Sequence, residues 1–178
     1  MKIAVVVASK HGSTREIGEA IAERLRTHGH DVTEHDMTDT VAEALDDAEV
    51  LVLGSAVYFG RWTSEAGAFL AGMADRVDGR PVWMFSSGPA NPAAVKDPTA
   101  EGVEEHTDEG VVAVASMMRA LDARGHVVFG GRLELARLTF VERAVTRALR
   151  AGDADLRDWD KIRAWADDIA AELAGSGG

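Results

Sequence analysis

The chain of 178 residues contains no cysteine. That excludes disulfides, thiolate nucleophiles and cysteine-ligated zinc or iron–sulfur centres at once. Lysine is nearly as scarce, with only Lys2, Lys10, Lys96 and Lys161, so arginine carries most of the positive charge. Together the two number 19 against 30 aspartates and glutamates, a formal net charge of −11. A surface of that sign is repelled by phosphate backbones, so no nucleic-acid partner is expected. No apolar run approaches the roughly 20 residues that cross a bilayer. The N-terminus enters an apolar segment with no basic leader before it, so the expected location is cytoplasmic. Internal repeats and linkers are also missing. The whole span 1–178 therefore reads as a single domain, long enough for a sizeable core.

Short apolar runs alternate with helical patterns. Lys2 to Ala8, with Ile3-Ala4-Val5-Val6-Val7, reads as a buried strand. A helix follows from Ser13 to His28, with Ile17, Ala20, Ile21, Ala22 and Leu25 on one face and Gly29 ending it. Asp31 to Met37 reads as an edge strand, Asp39 to Asp47 as a short helix, and Glu49 to Ser55 as a second buried strand. Helices are predicted over Trp62–Arg76, Val111–Arg124, Leu138–Arg150 and Trp159–Ala174, with strands at Pro81–Ser86 and His126–Phe129. Strands that are continuous apolar runs, each followed by a helix, predict an α/β fold: a doubly wound, five-stranded parallel sheet covered on both faces. Ligands of such sheets bind at the carboxyl ends of the strands.

Three strand ends therefore matter. The first carries Ser9-Lys10-His11-Gly12-Ser13-Thr14, a turn with three hydroxyls and a central glycine, leading into a helix. Backbone N–H groups and the positive end of a helix dipole converge there, which suits a phosphate monoester. The competing reading is an ordinary helix cap, with Glu16 closing a capping box on Ser13. His11 reads either as a polar turn residue or as an imidazole that pairs with phosphate. The turn is neither a Walker A loop nor a dinucleotide fingerprint, because Gly12 stands alone. The second end, Gly54-Ser55-Ala56-Val57-Tyr58-Phe59-Gly60-Arg61-Trp62, holds the only tyrosine of the chain. Tyr58, Phe59 and Trp62 on a loop over a phosphate site suggest a flat ring stacked among them. The third end is Ser86-Ser87-Gly88-Pro89. A receiver domain, which shares this topology, needs an acidic residue where Gly54-Ser55 stands, so that reading fails.

These residues resemble the flavodoxin family, whose phosphate loop runs Ser/Thr-x-Thr-Gly-x-Thr. His11 stands where the family usually has Thr. Thr14-Arg15-Glu16-Ile17, the run from Gly54 to Gly60, and the ending Gly152-Asp153-Ala154-Asp155-Leu156-Arg157-Asp158-Trp159 are most similar to the menaquinone-dependent protoporphyrinogen IX dehydrogenase branch. The resemblance implies a strand order of 2-1-3-4-5 and FMN as cofactor. It implies that Ser9, Lys10, His11, Gly12, Ser13 and Thr14 hold the FMN phosphate. Ser55, Ala56, Val57, Tyr58, Phe59, Gly60, Ser86, Ser87 and Gly88 would wrap the isoalloxazine, with Tyr58, Phe59 or Trp62 over its face. The branch has a basic residue where Tyr58 stands. It also implies an oxidoreductase of heme biosynthesis, with protoporphyrinogen IX as donor and a quinone as acceptor. The alternatives are a one-electron carrier between redox proteins and an FMN-dependent quinone reductase. No metal site and no catalytic acid or base is read from the sequence.

Two segments stand apart. Lys96 to Gly110 is an acidic stretch that reads as a solvated loop, or as a lid near the flavin. Gly131 to Arg150 has five arginines against two glutamates, a net +3 that leaves −14 on the remainder. Phe140, Val141, Ala144, Val145, Ala148 and Leu149 form one apolar stripe in it, so it reads as a basic insert for peripheral membrane contact or as a packed surface helix.

Overall fold

The computed structural model of the chain describes residues 1–40, 42–58, 61–73, 76–88, 114–133 and 154–175. The run Ile3 to Ala8 forms β1 (Lys2–Ala8), buried along both faces as a continuous apolar run requires. Helix α1 (Ser13–Thr27) turns Ile17, Ile21, Ala22 and Leu25 inward and ends against Gly29, which takes φ 83. Strand β2 (Asp31–Asp36), a 3-10 turn (Ala42–Leu45) and β3 (Val50–Tyr58) follow. The chain doubles back as β4 (Arg61–Trp62), then forms α2 (Ser64–Met73) and β5 (Val82–Gly88). Residues 114–120 are helical, here α3. They lead into β6 (Gly125–Gly130), β7 (Arg132–Leu133), β8 (Ala154–Asp155) and α4 (Trp159–Gly175).

The main sheet runs β2-β1-β3-β5-β6, every neighbouring pair parallel. This is the expected 2-1-3-4-5 order of a flavodoxin-like fold, with β4 added as a short antiparallel return on β3. One face packs on α1 and α4, where Phe85, Phe129 and Trp165 meet with ring centroids 5.7–6.1 Å apart. The other packs Leu51, Leu53, Met84 and Leu121 against α2 and the 3-10 turn. Asp167 ties the two helices of the first face together, accepting from Arg24 Nε at 2.7 Å and contacting His28 Nε2 at 2.6 Å. These partners hold its carboxyl down at about 2. Among the described residues no helix is long and apolar enough to cross a membrane.

Two strands are longer than the sequence pattern predicts. β3 continues past Ser55 through Ala56 and Val57 to Tyr58, and β5 continues past Ser86 through Ser87 to Gly88. Within β3, Gly54 leaves the room that its large neighbour Phe85 needs. A Cβ on Gly54 would lie 2.1 Å from Cζ of Phe85. The helix expected from Trp62 starts at Ser64 instead, with Thr63 Oγ1 accepting the Ala66 N–H at 3.2 Å. The acidic stretch 96–110 and the helix expected over 138–150 lie outside the described residues, and the basic insert is described only at 131–133.

Gly54→Ala should therefore overpack the centre of the sheet, because the buried Phe85 ring has no space to retreat. The expected loss is about 1–3 kcal/mol in a urea melt; a melt superimposable on wild type would contradict this packing.

Candidate functional site

The parallel register brings the three strand ends level. Ala8 of β1 pairs with Ser55 of β3, Ser55 pairs with Ser86 of β5, and Ala56 pairs with Ser87. The chain leaving β1 must turn at once into α1, and it does so through Gly12, whose φ of 88 lies in the left-handed region that glycine enters without steric cost. Gly12 is the N-cap residue, and no side chain caps the helix. Glu16 N–H bonds to the Gly12 carbonyl at 3.0 Å, which leaves the amides from Gly12 to Arg15 outside the helix ladder. The capping box is not formed. Ser13 Oγ instead accepts the backbone N–H of Arg132 at 2.8 Å, and Glu16 pairs with Arg157 and, at 3.8 Å, with Arg132.

Inside this turn Ser9 Oγ is buried and has no hydrogen-bond partner among the described residues. A buried hydroxyl left unpaired costs about 1–3 kcal/mol, so its persistence points to an absent partner. Thr14, 2 % exposed, is also turned inward. Lys10 and His11 flank Tyr58: Lys10 Nζ lies 5.6 Å from the centre of its ring, and the His11 ring meets it edge-on at 6.2 Å. These contacts join the first turn to the end of β3. The cluster offers an anion several amides, hydroxyls and a nearby cation, with one half-buried aromatic beside it.

The other expected residues divide. Ser55 and Ser86 are buried, and their hydroxyls are occupied internally. Ser55 Oγ donates to the Ala56 carbonyl and accepts from Thr63 N–H. Ser86 Oγ accepts the Trp62 Nε1–H at 2.8 Å and lies 2.8 Å from His126 Nε2. The donor and acceptor in the second contact are set by the His126 tautomer, and burial holds that imidazole below its ordinary range. Ser87 is buried, and Gly88 is half-buried; a Cβ on Gly88 would crowd the Val57 carbonyl oxygen at 3.2 Å. Val57 is half-buried beside them and Ala56 is buried. Trp62 is not an exposed stacking residue: it is 7 % exposed, packed in the core beneath the site, because β4 folds it back onto β3. Phe59 and Gly60 lie outside the described residues. Sequence reasoning gave Glu16 only a capping role and assigned none to His126, Arg132 or Arg157; the signals were the Thr-Arg-Glu-Ile run and the Gly-Asp-x-Asp-x-Arg ending.

The flavodoxin domain family matches residues 4–160, and the chain belongs to that family. Its fold is similar to a short-chain flavodoxin associated with a non-canonical PDU bacterial microcompartment, at 15 % identity over 100 % of this chain and 99 % of that one, TM-score 0.65. It is similar to the flavodoxin of Streptococcus pneumonia TIGR4, at 19 % identity over 99 % of both chains, TM-score 0.63. Flavodoxin 2 of Bacillus cereus, in its oxidised form, gives 20 % identity over 99 % of both chains, TM-score 0.60. At these identities the likeness establishes the fold. No curated protein matches the sequence. Family membership implies FMN as the cofactor, and the unpartnered Ser9 hydroxyl in an uncapped, glycine-hinged turn fits its phosphate.

Ser9→Ala should separate binding from folding. The flavin-free protein keeps or gains stability, since an unpaired hydroxyl is removed, whereas FMN affinity falls by roughly 1–3 kcal/mol. Thr14→Ala should weaken FMN comparably. Urea melts and flavin fluorescence titrations check both; a destabilised flavin-free Ser9→Ala protein with unchanged FMN affinity would place the phosphate elsewhere.

Proposed function

We propose that this flavodoxin-family protein is an FMN-dependent oxidoreductase that takes electrons from protoporphyrinogen IX and passes them to a quinone. The observation that carries the FMN reading is the buried, unpartnered Ser9 Oγ within the Gly12 turn. In this reading Ser9, Lys10, His11, Gly12, Ser13 and Thr14 hold the phosphate. Backbone at Ser55, Ala56, Val57, Ser86, Ser87 and Gly88, with Phe59 and Gly60, borders the ring, and Tyr58 covers one face. Trp62 serves from beneath by fixing Ser86. Bound FMN supplies the capacity to accept and release hydride or electrons; the chain binds it, orients it and excludes water from its buried edge.

Support for the porphyrinogen donor is the sequence resemblance, together with the contact that joins two of the stretches carrying it: Arg157 of the C-terminal motif pairs with Glu16 of the Thr-Arg-Glu-Ile run. The second reading is a one-electron carrier between redox proteins. It is favoured by the flavodoxin likeness and by the −11 charge, which would steer basic partners. An FMN-dependent quinone reductase fed by a nicotinamide is the third. The protein loaded with FMN and kept anaerobic distinguishes them: protoporphyrinogen IX should bleach the flavin absorbance, and a quinone should restore it. Bleaching only by a ferredoxin reductase would make the protein a carrier; bleaching only by NADPH would make it a quinone reductase.

The basic insert 131–150 is the segment we propose for peripheral contact with anionic lipid. Each arginine near such a surface contributes about 1 kcal/mol, and salt screens the attraction over about 8–10 Å. Wild type should sediment with anionic vesicles at low salt, and replacing Arg143, Arg147 and Arg150 by Gln should abolish this without changing FMN affinity. Wild type that stays in the supernatant would contradict membrane contact.

A further inference from the structure

We infer that the β7–β8 ribbon is a clamp that presets the Ser13 hydroxyl to donate to a phosphate oxygen, with Arg157 as its positioning residue; this rests on the FMN reading above.

A serine hydroxyl carries one proton, and the bond it accepts decides where that proton can go. Ser13 Oγ accepts the Arg132 N–H at 2.8 Å, so its own proton remains to be given to another acceptor. The position of that N–H is set by the ribbon. Arg132 pairs with Asp155 and Leu133 with Ala154, while Leu156 N–H donates to the Gly131 carbonyl at 3.0 Å. The ribbon is itself fastened to the sheet, because Gly131 N–H donates to the Gly88 carbonyl at 2.6 Å. Gly130 permits the close approach: a Cβ there would fall 2.0 Å from the Leu156 carbonyl oxygen.

Arg157 provides the second grip. Its side chain is only 4 % exposed. Nε and Nη2 donate to the two carboxylate oxygens of Asp155 at 2.8 and 2.6 Å, Nη1 donates to Glu16, and the guanidinium lies 4.5 Å from the centre of the Trp159 ring. Ser13 and Glu16 are three residues apart, on one face of the first turn of α1. One ribbon therefore reaches both, and the Arg157–Glu16 pair holds Arg132 against Ser13. Four elements distant in sequence (β5, β7, β8 and the start of α1) meet at this point.

The test is a set of fluorescence titrations with FMN and with riboflavin, which lacks the phosphate. Arg157→Gln and Glu16→Gln should each weaken FMN about tenfold, the scale of one charge-assisted hydrogen bond, and leave riboflavin affinity unchanged. Ser13→Ala should do the same, and the Ser13→Ala, Arg157→Gln double variant should bind FMN no more weakly than Ser13→Ala alone, because both act through one hydroxyl. If Arg157→Gln does not fold, Glu16→Gln removes the charge from the same contact at a half-exposed position. Variants that bind FMN as wild type does, that weaken both flavins equally, or that add to Ser13→Ala would overturn the clamp. Wild type that binds neither flavin would instead overturn the FMN reading on which it rests.

Discussion

A helix that begins without a side-chain cap presents its first amides, and the positive end of its dipole, to whatever lies beyond it. In this protein that end belongs to α1, and it opens onto the carboxyl edge of a parallel sheet. The left-handed Gly12 makes the turn possible, and the side chains that could have capped the helix are turned to other tasks. Ser13 accepts a backbone amide from across the molecule, Glu16 is held by arginines, and Ser9 stays buried with its hydroxyl unmet. Each of these would be a defect in a turn that only connected a strand to a helix. Together they are what we propose as a receptor for an anion.

The rest of the edge follows from the same need. The sheet keeps small residues at Ser55, Ala56, Ser86, Ser87 and Gly88, and in the proposed function their backbone, not bulk, borders the site. The hydroxyls of Ser55 and Ser86 are satisfied beneath the surface by Thr63, Trp62 and His126. The Trp62–Ser86–His126 contacts link β4, β5 and β6 beneath the site, and burial of His126 favours its neutral imidazole.

The sheet was readable from sequence because parallel strands buried on both faces are uninterrupted apolar runs, as at Ile3 to Ala8 and Val50 to Leu53. The turn itself was readable because hydroxyls and a glycine between a strand and a helix mark the place where the chain reverses, and Gly12 takes that position as the N-cap. Trp62 was not, since an aromatic just past a strand end can face solvent or be folded back beneath it, and a two-residue return such as β4 leaves no periodic signal. The bond from Arg132 to Ser13 spans 119 residues, and that from Arg157 to Glu16 spans 141. Contacts of that range are set by tertiary packing and leave no local pattern. The capping reading was locally sound and lost because distant groups compete for the same side chains.

The central claim is that the Ser9–Thr14 turn is a phosphate receptor in a flavodoxin-family protein. The most direct test is the perturbation of backbone amide resonances in the nitrogen-15-labelled protein on adding FMN, compared with riboflavin. The account predicts that the amides of Gly12, Ser13, Thr14 and Arg15 shift strongly with FMN and barely with riboflavin. Amides that stay fixed while FMN binds, or that move equally for both flavins, would contradict it.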